Sequence, residues 1–271
     1  MLNRVEIFLQ GHRGFRGRFP ENSLEAARAA IQLGVDAIEL DVVVSADGKM
    51  IVSHEPYMCH TLCTKPDGGA ISESESQDLN LFKMSAAEIA KYSYGVLPYS
   101  KFPDQQKMVC HKLDLISFCK QLLESDEMYL PQLTIELKSA EKTDSIFHPA
   151  PKEYVDAVLR NIDLIDERWP IAIQSFDLRL LKELDQRGVE LPLIALNDNS
   201  ELDIDAICEQ LNFVPDGYGP HFDMVNAELV NDCAELGVDL SVWTVNDLDE
   251  AERLFGLGVR NFITDFPDLF V

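Results

Sequence analysis

Two rhythms of apolar positions alternate along this chain. Residues 5–10, 35–44, 133–137, 171–174, 191–195, 240–244 and 261–264 are short apolar runs with the length and β-branched content of strands. Between them, residues 22–33, 113–123, 153–165, 178–186, 204–211, 227–236 and 248–257 repeat apolar side chains at helical spacing. In the first helix Leu24, Ala27, Ala30 and Ile31 share a face, and Gly34 ends it. Asn22-Ser-Leu-Glu25 reads as its capping box. Two more strand candidates are weaker. Residues 49–53 form the return arm of a hairpin turning at Asp47-Gly48, and residues 217–218 are a brief apolar step. Repeated βα units over 271 residues predict an α/β protein whose parallel sheet closes into a (β/α)8 TIM barrel. Nine strand candidates are one too many, so residues 49–53 or 217–218 are expected outside the barrel. A doubly wound open sheet is the alternative, but no GxGxxG fingerprint follows any strand.

Residues 55–110 break the rhythm. They carry Thr64-Lys-Pro-Asp-Gly-Gly69, a polar run at 72–78 and few periodic apolar positions. They read as a small inserted lobe of loops and short helices, with residues 85–91 its clearest helix. One domain over residues 1–271, interrupted by this insertion, is expected.

Composition narrows the class. With 46% hydrophobic and 26% charged residues the chain can bury a full core. A net charge of −24 argues against nucleic acid or an anionic membrane surface as partner. It also means that an anionic substrate needs local positive charge. No apolar run approaches the roughly 18 residues of a membrane span, so no integral membrane association is expected. Residues 1–10 lack the layout of a secretory signal. Cysteines 59, 63, 110, 119, 208 and 233 show no CxxC spacing and read as free thiols of a cytoplasmic protein. A zinc site at Cys59, His60 and Cys63 would lack further ligands. Oligomeric state is not legible.

Candidate chemistry gathers at predicted strand ends. His12 and Arg13 follow the first strand within Gly11-His-Arg-Gly14. Glu39 and Asp41 share one face of the second strand, and Glu136 and Lys138 share a face later. In a barrel such residues converge on one mouth. His54 returns through the hairpin. If Asp47 and Gly48 alone form the loop, Ala46 pairs with Lys49 and Asp41 with His54, on one face. One extra loop residue would turn His54 to the other side. Three carboxylates with no nearby cysteine favour one hard divalent cation, Mg2+ or Ca2+, at Glu39, Asp41 and Glu136. Arg13 and Lys138 would grip a phosphate, and His12 and His54 would move protons. That set suits splitting a phosphate ester. Each part also has a plainer reading: a solvated strand face, a loop histidine, a surface lysine paired with Glu136.

The chain resembles the glycerophosphodiester phosphodiesterase family. The resemblance lies in Gly11-His-Arg-Gly14, Pro20-Glu-Asn-Ser23, Ile38-Glu-Leu-Asp41, Asp47-Gly48 and Val52-Ser-His54. It continues in Ile135-Glu-Leu-Lys138, Ser175-Phe-Asp177, Val242-Trp-Thr-Val-Asn246 and Ile263-Thr-Asp265, in the family's order over nearly the whole chain. The resemblance implies a TIM barrel with an insertion after the second histidine. It implies metal-dependent hydrolysis of a small glycerophosphodiester, such as glycerophosphocholine or glycerophosphoethanolamine, to sn-glycerol 3-phosphate and an alcohol. By position it makes His12 and His54 catalytic and Glu39, Asp41 and Glu136 metal ligands. Arg13, Lys138 and Trp243 become substrate contacts, although Trp243 could equally be barrel-mouth packing. Ser23 stands where threonine is commoner in the family, and the insertion matches no family segment. Phospholipase D-type cleavage of lysophospholipids or sphingolipids on the same residues is the alternative. A non-catalytic phosphodiester-binding barrel is a more distant one.

Overall fold

The computed structural model describes residues 4–124 and 129–271; residues 1–3, part of the segment read against a secretory signal, lie outside them. The chain begins with β1 (Phe8–Gly11), α1 (Leu24–Gln32), β2 (Ala37–Val44) and β3 (Met50–Val52). Short elements follow: β4 (Cys63–Thr64), α2 (Glu73–Ser76), α3 (Ala86–Ile89) and β5 (Ser93–Tyr94). Alternation resumes with α4 (Leu115–Leu123), β6 (Gln132–Leu137), α5 (Pro151–Ile162), β7 (Ile171–Ser175) and α6 (Leu178–Gln186). It ends with β8 (Leu193–Asn197), α7 (Ile204–Leu211), β9 (Gly217–Pro220), α8 (Ala227–Leu236), β10 (Asp239–Val242), α9 (Leu248–Leu257) and β11 (Asn261–Thr264).

Strands β1, β2 and β6 to β11 pair in parallel, and β1 pairs with both β2 and β11. This closes the expected (β/α)8 barrel. The surplus strand is β3, which runs antiparallel to the outer end of β2. The weak candidate at 217–218 is a true barrel strand, β9. Its sequence, Gly-Tyr-Gly-Pro, is apolar-poor because β8 fills the space beside it. A Cβ on Gly217 would lie 2.9 Å from Ile194 Cγ1, and one on Gly219 2.6 Å from Leu196 Cδ2.

Three local expectations are corrected. β1 starts at Phe8, because Arg4 bonds to Gly34 O (2.6 Å) and pairs with Asp36 (2.8 Å), holding residues 4–6 in a tight turn. The cap of α1 is Ser23, whose hydroxyl accepts from Ala26 N; Asn22 is used elsewhere. The turn between β2 and β3 has three residues, 46–48, since Val42 pairs with Val52, Val44 with Met50, and Ser45 N donates to Lys49 O (2.9 Å). Asp41 O therefore accepts from Ser53 N (2.9 Å), and His54 is not its strand partner.

Strand β2 is buried along its whole length, its two carboxylates Glu39 and Asp41 included. Val42 and Val44 join the main core between barrel and helices. Val43 faces the other way and packs with Ile51, Met58, Cys63, Ile71, Leu81, Ile89, Tyr94 and Cys110. Residues 55–110 thus build a second apolar cluster at the outer end of β2, on the face that carries Glu39 and Asp41. Tyr94 ties that cluster to the β1–α1 loop by donating to Asn22 O (3.1 Å). Helix α3 is shorter than residues 85–91 and is closed by a Ser85–Glu88 capping box.

Candidate active site

The C-terminal ends of the barrel strands surround a cavity of about 910 Å³. Its floor carries His12, Arg13, Glu39, Glu136, Lys138 and Gln174, and its rim carries His54, Phe176 and Trp243. Cys59, Thr61 and Leu62, with residues 97–101 of the insertion, complete the wall.

Glu39, Asp41 and Glu136 each offer an oxygen within 4.8 Å of the others. Strand geometry accounts for this. Glu39 and Asp41 are two residues apart on β2, and Asp41 is the register partner of Glu136 on β6. All three are buried, at 1%, 0% and 7% exposure. Gln174, the register partner of Glu136 on β7, donates to Glu39 (3.2 Å).

The loop after β1 wraps this cluster in cationic and amide groups. Arg13 N donates to Glu39 (3.0 Å), Arg13 Nη1 to Glu21 (2.9 Å), and Arg13 Nε lies 3.0 Å from Asp41. Asn22 donates to Asp41 Oδ2 (2.9 Å) and accepts from Asp41 N (3.2 Å). Both Arg13 (φ 53°) and Asn22 (φ 56°) hold left-handed backbone, an uncommon conformation that aims these groups inward. Lys138 bonds to Glu136 (2.5 Å) and approaches Asp41 (3.6 Å). It is thus paired with Glu136, but inside the site and not on the surface.

The charges are poorly balanced without a cation. Burial, then the charges of Asp41 and Glu136, pushes Glu39 well above the usual carboxylate range. Burial and Asp41 also raise Glu136, against the pull of Lys138. Burial opposes ionisation of Asp41 too, but Arg13, His54 and Lys138 outweigh it and hold Asp41 below its ordinary value. Asp41 Oδ1 and Gln174 Oε1 are buried with no hydrogen-bond donor. Clustered carboxylates with an orphaned oxygen fit a hard divalent cation, and no competing thiol or imidazole cluster exists among the described residues.

The two histidines reach the same cavity by different routes. His12 leaves the end of β1, with Nδ1 2.7 Å from Asp265 and Nε2 3.9 Å from Glu39. Burial, with Arg13 and Arg16 nearby, pulls its pKa below the ordinary value although Asp265 pushes the other way. His54 lies two residues beyond β3, so the shifted register does not dictate its side. It lines the cavity with Nδ1 2.8 Å from Glu55. Trp243 donates to Gly219 O (2.7 Å) and meets Phe176 and His221 edge-on, each at 5.3 Å. It is both rim packing and cavity wall.

All eight sequence-derived candidates therefore border one cavity or its acidic floor. The sequence reading assigned no role to Asp265, Glu55, Gln174, Glu21 or Phe176, and it misread Asn22 as a cap. Asp265 carried a usable signal, as an acidic residue directly after the last barrel strand.

A (β/α)8 barrel that gathers an acidic cluster, two imidazoles and the half-buried side chains of Arg13 and Lys138 at its C-terminal mouth has the parts for metal-assisted phosphate-ester cleavage. Residues 12–269 match the glycerophosphoryl diester phosphodiesterase family, and the chain belongs to that family. It is similar to a glycerophosphodiester phosphodiesterase of Bacillus subtilis, 27% identical across 100% of this chain and 87% of the relative. The solved structure of a putative glycerophosphoryl diester phosphodiesterase from Silicibacter pomeroyi superposes with a TM-score of 0.84, at 28% identity over 97% of this chain and 91% of that one. A phosphodiesterase from Oleispira antarctica, solved in complex with the product sn-glycerol-3-phosphate, shares the fold at a TM-score of 0.74, with 22% identity over 97% and 94% of the two chains. Among the described residues no helix is long and apolar enough to cross a membrane.

Proposed function

We propose that this protein hydrolyses glycerophosphodiesters to sn-glycerol 3-phosphate and an alcohol. The observation that carries the reading is the convergence of the Glu39–Asp41–Glu136 cluster with His12 and His54 on one cavity. Glu39, Asp41 and Glu136 would hold a divalent cation, Mg2+ or Ca2+, which would supply neutralising charge to the non-bridging phosphate oxygens. Arg13 and Lys138 add positive charge at the cavity floor and orient the phosphate. His12 and His54 divide the proton transfers: one takes the proton of the attacking oxygen, the other protonates the departing alkoxide. Trp243 and Phe176 close the rim over the organic portion of the substrate.

The attacking oxygen is either water or the glycerol 2-hydroxyl, the latter through a cyclic phosphate. A substrate analogue lacking that hydroxyl separates them, because normal turnover of it eliminates the cyclic route. The function is tested by glycerol 3-phosphate release from glycerophosphocholine, with EDTA and then with Mg2+ or Ca2+ restored. Release that EDTA abolishes and a cation restores supports both reaction and metal site. Choline release from lysophosphatidylcholine, with none from glycerophosphocholine, would replace the reading by a phospholipase D-type activity.

A further inference from the structure

Asp265 stands one residue beyond β11, is 2% exposed, and makes no contact with Glu39, Asp41 or Glu136 among its hydrogen bonds and ion pairs. Its surroundings are nonetheless highly specified. Asn246 Nδ2 donates to Oδ2 (2.8 Å), while Asn246 Oδ1 accepts from Asp265 N (2.9 Å) and from Thr264 Oγ1 (3.2 Å). Arg16 approaches with Nε at 2.9 Å from Oδ1 and Nη2 at 3.3 Å from Oδ2. Phe102 of the insertion lies under the Arg16 guanidinium, 4.8 Å from it, and against Phe266 at 5.8 Å. Gln105 donates to Arg16 O (2.8 Å) and fixes the backbone of the same turn. Two loops and the insertion thus hold one carboxylate in a single orientation, with Oδ1 aimed at His12 Nδ1 (2.7 Å).

An ionised carboxylate only accepts hydrogen bonds. The proton of neutral His12 must then sit on Nδ1, which leaves a lone pair on Nε2, the nitrogen facing the cavity and Glu39. We propose that Asp265 is a positioning residue that fixes both the tautomer and the ring orientation of His12, so that Nε2 is the atom that exchanges protons with the substrate. The inference rests on the phosphodiesterase reading. Glu55 offers His54 the same Nδ1 contact at 2.8 Å, but that pair is 29% and 33% exposed, against 13% and 2% for His12 and Asp265. A water-accessible partner constrains an imidazole less, so Asp265 has the larger effect.

The test compares wild type with Asp265→Asn, which keeps the size of the side chain but can present an N–H to Nδ1. Three measurements are made: steady-state kinetics on glycerophosphocholine for kcat and KM, the affinity for Mg2+ or Ca2+ by calorimetry, and the imidazole 15N signals of histidine-labelled protein, with His12 assigned by its loss in His12→Gln. Expected are a fall in kcat of about 10²- to 10⁴-fold with KM and cation affinity within about threefold, and a move of the His12 proton from Nδ1 to Nε2. Asp265→Glu, which keeps the acceptor charge, should recover part of the rate, and Glu55→Gln should cost less than Asp265→Asn. A wild-type His12 protonated on Nε2, an Asp265→Asn kcat within threefold of wild type, or a loss that follows cation affinity would overturn the proposal. The 15N signals require no turnover. A protein with the Nδ1–H tautomer that leaves glycerophosphodiesters intact would therefore condemn the functional reading and not the positioning.

Discussion

Gly14 sits two residues after His12, and the chain there leaves almost no room for a side chain. Its φ is +81°, and a Cβ would stand 2.6 Å from Ala26 C and 2.8 Å from both Ala26 Cβ and Ala27 N. These are atoms of helix α1, most of them backbone, and they cannot rotate away. Gly34 supplies the internal control: its φ is +77°, but nothing lies within 4 Å of its Cβ position. Left-handed backbone costs an L side chain about 1–2 kcal/mol. The stiffer unfolded chain returns roughly 0.4–1 kcal/mol of that. Gly34→Ala should then lose about 0.5–1 kcal/mol. Gly14→Ala adds an overpacking cost of about 1–3 kcal/mol, for a total of roughly 2–4 kcal/mol. At about 2.1 cal/mol/K per residue, 271 residues give an unfolding entropy near 0.6 kcal/mol/K, so each kcal/mol lowers Tm by roughly 2 °C. Calorimetric melting should show a fall of about 4–8 °C for Gly14→Ala and about 1–2 °C for Gly34→Ala. The Gly14 clash can be relieved only by shifting the loop that carries His12 and Arg13. Its hydrolytic rate should therefore drop beyond any change in folded fraction, while Gly34→Ala keeps its rate. Equal melting shifts for the two variants would refute the packing argument.

Replacing His12 or His54 by Ala should each lower kcat by roughly 10²-fold or more, and near-normal turnover in either variant removes that histidine from the chemistry. Asn22→Gly keeps the left-handed backbone but strips Asp41 of two hydrogen bonds. Calorimetric titration should then show cation affinity weakened by about 10- to 100-fold, and unchanged affinity would mean that Asn22 does not tune the acidic cluster. Burial pushes the Cys110 and Cys119 thiols up to about 12, so an aromatic disulfide reagent at mildly alkaline pH should leave both unmodified. Cys59, half-buried on the cavity wall, should react readily and be protected by glycerol 3-phosphate with the cation; half-buried Cys208 on α7 should react at the same rate with or without them. Loss of that contrast would place the ligand elsewhere.

Much of this protein was legible in its sequence because the information was local. Helical spacing, strand alternation and βα repetition each report burial on one or two faces, and burial is what drives the barrel together. The Glu-x-Asp and Glu-x-Lys pairs point to shared faces by the period of a strand alone. What the sequence left open depended on neighbours distant along the chain. β9 looked feeble because Ile194 and Leu196 occupy its interior space, and no window around residue 217 contains them. The three-residue turn moved the β2–β3 register by one, since the core on both faces of β2, and not the Asp-Gly signal, settles which residues pair. Asn22 looked like a cap because Ser23 and Asn22 have the same capping chemistry. Only folding brings Asp41, nineteen residues on, within 2.9 Å of Asn22. Asp265 meets His12 across 253 positions through closure of the barrel between β1 and β11. Residue type and spacing thus determined which groups could do the chemistry and which faces they occupied. Barrel closure decided which groups meet, because hydrogen bonds and charge pairing act over a few ångströms while the residues they join lie from 19 to 253 positions apart.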